Sequence, residues 1–339
     1  MNYSDTLQWR PTSRLEALKV RAEAYAQLRA FFYQRQVLEV ETPLLSASTA
    51  TDPFLASVPA YLSPSAGQAS KPFYLHTSPE FPMKRLLAAG SGAIYQICKC
   101  FRDGESGRRH NPEFTMLEWY RPGFSLSQLM AEVASLISEV LAPAKLPVKH
   151  ISYREAFELY LGIDPFTLPE SQLSELAEEK TGFAPAKENS LALSRDDYLN
   201  LLLSSCIEPH LGFAKNSAPE LCFLSGYPAS QASLAKLTQD EHGQTVAERF
   251  ELYIQGLEMA NGYFELTDAQ EQARRFQQDN RQRQHLQLPE IPVDTRLLAA
   301  LAAGLPECSG VALGVDRLLM IKLHASAIDE VLSFPIARA

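Results

Sequence analysis

No stretch of this chain stays apolar for the roughly 18 residues that a membrane-spanning helix needs. Its first residues mix polar and acidic side chains, where a secretory signal would run from basic to apolar. Two common phosphate-binding loops are missing as well: there is no GxxxxGK[ST] and no GxGxxG, which argues against the usual nucleotide-binding α/β folds. Cysteine is scarce and odd in number, five in 339 residues, with no paired CxxC. Cys98 and Cys100 flank Lys99 at strand spacing, so they share a face and are poorly placed to bridge. Reduced thiols in a cytoplasmic protein are the expectation. Positive charge is short too: 31 Lys and Arg stand against 40 Asp and Glu, a net −9. That balance disfavours broad nucleic-acid binding, which runs on phosphate neutralisation, but leaves a local basic patch open. Internal repeats and low-complexity tracts are absent.

What is present reads as a globular protein with ample core, one large or two medium domains: 46% hydrophobic and 21% charged residues. Residues 1–12 read as an irregular tail, and the rest as one catalytic domain. Ser13–Gln36 carries Leu15, Leu18, Ala22, Tyr25, Leu28 and Phe32 at helical spacing, with Ser13 as N-cap. Val37–Val40 is a short strand stopped by Thr42-Pro43. Residues 46–71, rich in Ser, Ala, Pro and Gly, read as loops with short strands. Phe73–His76 is a strand, Phe81–Ala89 a helix ended by Gly90, and Ala93–Arg102 and Glu113–Tyr120 two arms of a hairpin. Ser125–Leu141 is an amphipathic helix capped by Ser125 or Ser127. Residues 143–218 read as a mostly helical insertion with helices Tyr153–Leu161, Glu170–Thr181 and Ser194–Glu208. Strands resume at Leu221–Gly226, Ala247–Gln255 and Leu257–Leu266. A polar helix to about Gln284 follows its cap at Thr267 or Asp268, then a helix Thr295–Ala303, a strand Cys308–Gly314, and a helix from Val315 or Asp316. Strands returning mostly as hairpins, with helices between, predict an antiparallel sheet in an α+β fold.

Three groups carry chemistry. In FRDGESGRRHNPEFTMLEWY (101–120), cations sit at a hairpin tip and Glu118 and Tyr120 share one strand face. Such a hairpin suits a polyanion and a cationic small molecule held together, and so the ATP-dependent activation of an amine-bearing substrate. Guanidinium groups such as Arg102 and Arg109 bind phosphate oxygens bidentately and stabilise charge growing on an attacked phosphate. Arginines alone also suit a solvated turn, and Phe114 alone suits either a base-stacking platform or the core. In ERFELYIQGLEMANGYFELTD, Glu251 and Glu258 fall on either side of the Ile254–Gly256 break, on facing strands where two carboxylates would suit Mg²⁺. By themselves they also suit a sheet edge. Asn261-Gly262 is a turn signal with Glu265 just beyond it. In SGVALGVDRLLM (309–320), Gly310 and Gly314 allow close approach to the strand backbone, and Arg317 sits near the amide-rich start of a helix.

Together these groups resemble the three signature motifs of the class II aminoacyl-tRNA synthetases, most closely the lysyl type. Val37–Pro43 resembles motif 1, whose proline lies at a dimer interface. Phe101–Tyr120 resembles motif 2, with HNPEFTMLE (110–118) very close to the lysyl form, and Gly314-Val315-Asp316-Arg317 resembles motif 3. The resemblance runs from about Ser13 to the C-terminus and implies bent ATP, an aminoacyl adenylate and a homodimer. It implies that Arg102 holds the α-phosphate and the substrate carboxylate and that Arg109 meets the γ-phosphate. Asn111 is then near the adenine, which Phe114 and Arg317 sandwich. Asp103, Gly104, His110, Met259 and Gly314 complete the expected ATP surroundings, and Glu251 and Glu258 match the Mg²⁺-binding acids. Glu80, in the run Ser78-Pro79-Glu80, matches a group near the substrate amine. Glu118, Tyr120, Asn261 and Glu265 match the lysine-recognition set, which suits a substrate with two ammonium groups.

Three departures from the lysyl pattern stand out. The catalytic region starts about a dozen residues in, so the anticodon-reading barrel is expected to be missing. Ala312 replaces a glycine of the motif 3 strand, and its methyl would reshape the amino-acid pocket against α-lysine. The acid expected two residues after the motif 2 arginine is Gly104, with Glu105 next. The first two departures, with EFTMLEWYRP, YPASQASLA (227–235) and CSGVALGVDRL, are similar to a truncated bacterial subgroup of lysyl-synthetase paralogues. That likeness implies that activated (R)-β-lysine passes to the ε-amine of a lysine on translation elongation factor P, with tRNA and membranes excluded as partners. The chemistry implied is that of a ligase splitting ATP to AMP and diphosphate, without a protein nucleophile. The competing readings are loading of a lysine relative onto tRNA, a silent synthetase-like regulator, and the related asparagine-synthetase-like or biotin-ligase-like chemistries.

Overall fold

The computed structural model describes residues 9–63, 71–141, 146–183, 193–215 and 218–339. Most of the expected tail, the middle of the 46–71 loops and parts of the 143–218 insertion lie outside the described residues. The chain divides into two compact units, one of Met1–Gly123, Ser135–Pro143 and Thr267–Ala339, the other of Phe124–Ala134 and Ala144–Leu266.

The first unit is built on strands β1 (Leu38–Glu39), β5 (Ile94–Phe101), β6 (Glu113–Pro122) and β12 (Cys308–Gly314), in that order. β1 runs parallel to β5, while β5–β6 and β6–β12 are antiparallel. A small antiparallel sheet of β2 (Leu45–Ser46), β4 (Lys71–Leu75) and β3 (Pro59–Leu62) stands beside it in the chain. Helix α1 (Leu15–Gln34) sets Phe32 in a stack on Tyr95 at 4.3 Å and edge-on to Trp119 at 5.4 Å. These three rings are almost fully buried and centre the core of the unit. Helix α2 (Glu80–Ala88) ends just before Gly90, whose φ of 87° lets the chain turn out of the helix. Helices α7 (Ala269–His285) and α8 (Thr295–Gly304) start at Asp268 and Asp294, each of which accepts two amide N–H bonds of the first turn. Helix α9 (Val315–Leu323) follows β12 directly.

Two expectations for α1 do not hold. Its N-cap is Arg14, without a side-chain cap, and Ser13 is buried one residue further out. The inward face is Ala17, Ala24, Leu28, Phe31 and Phe32, while Leu15 is 69% exposed. The cause is Arg21, which lies on the inward side because its guanidinium pairs with Asp316 at 2.6 Å, so the hydrophobic spacing points to a rotated face.

The second unit carries β11 (Leu257–Phe264), β10 (Thr245–Ile254), β8 (Leu221–Pro228) and β7 (Val148–Ser152), with β9 (Leu237–Gln239) against β10. Only β7–β8 is parallel; the other pairings here are antiparallel. Helices α4 (Tyr153–Leu161), α5 (Glu170–Thr181) and α6 (Arg195–Leu202) cover it through Tyr153, Phe157, Leu173, Leu199 and Leu202. Capping boxes at Ser152 and Ser194 start α4 and α6, and the expected single helix to Glu208 instead passes through a π turn at Leu203–Ile207. Helix α3 (Leu126–Leu141) is capped by Ser125, whose Oγ accepts the Gln128 N–H while Gln128 Oε1 accepts the Ser125 N–H. The β10–β11 turn is Gln255-Gly256, with φ values of 50° and 68°. Asn261-Gly262, expected as a turn, lies inside β11, where Glu251 and Phe250 hold it in register and no reversal is left to make.

Candidate active site

The predicted site residues divide between the two units. In the first, β5 and β6 present one face. Glu118 stands opposite Gln96 on β5 and Ala312 on β12, and Tyr120 opposite Gly310, so Ala312 places its methyl on the face of Glu118. Glu118 is fully withdrawn from solvent and accepts hydrogen bonds from Tyr120 Oη at 2.6 Å and Ser78 Oγ at 2.7 Å. Burial, and then the charge of nearby Glu80, pushes its carboxyl up to about 8. Glu80 opens α2 behind Ser78 and Pro79, and its carboxylate pairs at 2.6 Å with the buried Lys84. Two carboxyls close enough to repel, with only one matched by a lysine, make a pocket that gains by taking in a cation.

The loop between β5 and β6 is held at both ends. Arg102 N–H donates to Pro112 O and Asp103 N–H to Ala56 O, while Ile328 N–H donates to Arg108 O. Asn111 is buried and spends its amide inside the fold: Nδ2 donates to Glu113 O at 2.6 Å and Oδ1 accepts the Ile336 N–H at 2.9 Å. Gly104 has a φ of 77°, which turns the chain so that Glu105 comes back to Arg102 at 3.6 Å. The displaced acid thus still reaches the arginine. The Arg102 guanidinium lies 5.1 Å from the centre of the Phe114 ring, and Arg317, from the first turn of α9, donates to His110 Nε2 at 2.7 Å. Partial burial of the ring, and then the Arg317 cation, lowers the His110 pKa, and the imidazole nitrogen facing Arg317 is an acceptor. Arg109 lies on the same loop, between the bridged residues Gly107 and His110.

In the second unit, β10 and β11 carry Glu251, Glu258 and Asn261, and Glu265 follows β11. Glu251 pairs with Asn261, but Glu258 pairs with Tyr253, because Met259 is an extra residue in β11. That bulge turns Glu258 onto the face of Glu251, which an unbroken alternation would deny it. Arg249 and Tyr253 both hydrogen-bond the Glu251 carboxylate, and Asn261 Nδ2 donates to it at 3.3 Å. Asn261 Oδ1 is out of solvent with no hydrogen-bond partner. Two carboxylates and a free amide oxygen on one face are hard donors that fit Mg²⁺, an ion that commonly uses few protein ligands. Glu265 is buried just after β11, at a bridge to Ala235.

Sequence reasoning missed Asp316. It is buried, accepts the Thr115 N–H at 2.6 Å and pairs with Arg21, so it ties β6 and α1 to the turn that presents Arg317. Its position next to Arg317 was the available signal. Arg21 was missed because its buried partner lies 295 residues away, whereas Lys84 and Arg249 have local partners in Glu80 and Glu251 whose burial local spacing does not show.

A family profile described as tRNA synthetases class II (D, K and N) matches residues 3–338. The chain belongs to this family. As a class II synthetase it is similar throughout to relatives named elongation factor P–(R)-β-lysine ligase. That of Proteus mirabilis is 49% identical over 339 residues, 99% of this chain and all of the relative. Those of Haemophilus ducreyi and Salmonella paratyphi B are each 47% identical, over 98% or more of both chains. For a class II synthetase, the α+β architecture with its largely antiparallel strand pairings is the expected one.

Proposed function

We propose that this class II synthetase is a ligase that activates (R)-β-lysine with ATP and transfers it to the ε-amine of a lysine on elongation factor P, and does not charge tRNA. The observation that carries the reading is the full-length identity of 47–49% to relatives of that name. The chemistry of the site agrees with it. A diamino acid carries two ammonium groups, and the buried carboxyls of Glu118 and Glu80 on the first unit are acceptors for such a cation.

In the first step the substrate carboxylate attacks the α-phosphorus of ATP and diphosphate leaves, forming the adenylate. Arg102 neutralises charge on the α-phosphate and orients the attacking carboxylate, while Arg109 takes the outer phosphates and Phe114 and Arg317 stack on the adenine. His110, neutral and bonded to Arg317, positions that guanidinium. Glu251 and Glu258 would hold Mg²⁺, which when bound offsets phosphate charge. In the second step the acceptor amine attacks the adenylate carbonyl, a C–N bond forms as the C–O bond to AMP breaks, AMP leaves with that electron pair, and the amine proton passes to solvent. Positioning accounts for the catalysis, as no side chain is needed as nucleophile. Ala312, on the face of Glu118, shapes the pocket for the β-amino acid. The enzyme acts in the cytoplasm, consistent with five free thiols and with no described helix long and apolar enough to cross a membrane.

The test is ATP–diphosphate exchange with α- and β-lysine, followed by transfer of labelled product with elongation factor P and tRNA offered side by side. Exchange that prefers β-lysine and a labelled protein band support the reading. Label on tRNA, or exchange with neither amino acid, sinks it.

A further inference from the structure

We propose that His76, Cys98 and Cys100 form a binding site for a thiophilic d¹⁰ cation, with Zn²⁺ as its probe. The three lie in the first unit: Cys98 and Cys100 on one face of β5, and His76 just after β4. Among the described residues they are the one group of three His, Cys or carboxylate side chains whose donor atoms converge within 4.8 Å. The thiols are 3.9 Å apart, and each lies 3.9 Å from His76 Nε2. A point equidistant from three atoms so spaced is about 2.3 Å from each, close to the zinc–sulfur distance and slightly beyond the zinc–imidazole one. Met116 Sδ, 3.8 Å from Cys100 Sγ, adds a fourth soft atom.

The surroundings prepare the site. His76 is fixed through its backbone, its N–H donating to Leu44 O and its carbonyl accepting from Phe101 N–H, so its ring is held against β5. Nε2 now rests 2.8 Å from Lys99 O, and Nδ1 is buried with no partner. Moving the proton to Nδ1 frees Nε2 for the ion, at the cost of the Lys99 O hydrogen bond and of a buried Nδ1–H without an acceptor, which the metal–nitrogen bond must outweigh. Cys98 is half-buried and gives access, while Cys100 and His76 are almost wholly enclosed. On binding, two S–H bonds are exchanged for two metal–sulfur bonds, two protons leave to solvent, and the 2+ charge is cancelled by the thiolates, so the buried site becomes neutral. The ion would staple the segment after β4 to β5.

The experiment uses the full chain, stripped with chelator and kept reduced. Co²⁺ added without oxygen should give a thiolate-to-cobalt charge-transfer band that saturates at one ion per chain and is bleached by Zn²⁺. Zn²⁺ should also raise Tm. In Cys98→Ser, at the accessible end of the cluster, the band should vanish and apparent affinity fall at least about tenfold. His76→Gln should weaken it likewise, and circular dichroism establishes that both variants fold. Absence of the band in the native chain, or its persistence in Cys98→Ser, overturns the proposal. So does a Cys98–Cys100 disulfide in the native chain that reductant must open before any ion binds, which would mark a redox pair instead.

Discussion

Glu118 shows how much one residue's surroundings decide. The same carboxylate on an exposed strand would be a solvated charge, but behind Tyr120 and Ser78, with Glu80 close by, it holds its proton to about 8. Its folded value lies above the ordinary carboxylate value of 4.5, so its contribution to ligand-free stability is complete at acid pH and is lost as pH rises through about 8. The Tm of the ligand-free protein should therefore fall between pH 6 and pH 9 by more than that of Glu118→Gln, which has no proton to lose. Binding of a diammonium substrate favours the ionised form and must expel the proton. Affinity should rise with pH up to about 8, and calorimetry in buffers of different ionisation enthalpy should detect proton release that Glu118→Gln abolishes. Equal pH profiles for the two proteins would show that Glu118 is already ionised.

Among the elements, joints matter more than the helices and strands they join. Asp316 receives Thr115 N–H from β6 and Arg21 from α1, and both it and its arginine are largely buried. Removing one partner strands the other's charge, so Asp316→Ala should cost about 3 kcal/mol or more by urea unfolding. Replacing both Arg21 and Asp316 with apolar residues should cost less than the two single changes added together. The β10–β11 hairpin tip docks through Gln255 N–H to Gly212 O and Gly256 N–H to Leu211 O. Three glycines with positive φ then rank themselves by surroundings. A Cβ on Gly212 would sit 2.6 Å from Ile254 Cα, one on Gly256 would sit 3.2 Å from Pro209 Cα, and one on Gly104 would meet open space. Gly104→Ala should cost only the left-handed backbone penalty of about 1–2 kcal/mol. Gly256→Ala should cost more, and Gly212→Ala most, enough to lower soluble yield; any other order of urea midpoints would refute the steric argument.

At the scale of the whole molecule, the homodimer that the motif 1 resemblance implies would have a surface to use. In the first unit Tyr33 is 84% exposed, Leu38 58% and Leu44 40%, all around the motif 1 segment. Among the described residues β1 ends its sheet, pairing only with β5. Exposed apolar side chains beside a sheet edge are what a partner would cover. Sedimentation should give twice the chain mass, and Leu38→Glu should shift the boundary to the monomer; a monomeric native protein would refute the dimer expected from motif 1. The sequence by itself determined most elements and the family, because caps, alternation and the three motifs are local patterns of a few residues each. Asp268 announced its helix, and HNPEFTMLE announced its hairpin. Only the tertiary structure decided which way those elements face and what their charges meet. Arg21 turns α1 toward Asp316, 295 residues away. Met259 bulges and swings Glu258 onto the face of Glu251; His76 closes on two thiols of another strand. Each depends on a partner distant in sequence or on one residue of register, and local periodicity carries neither.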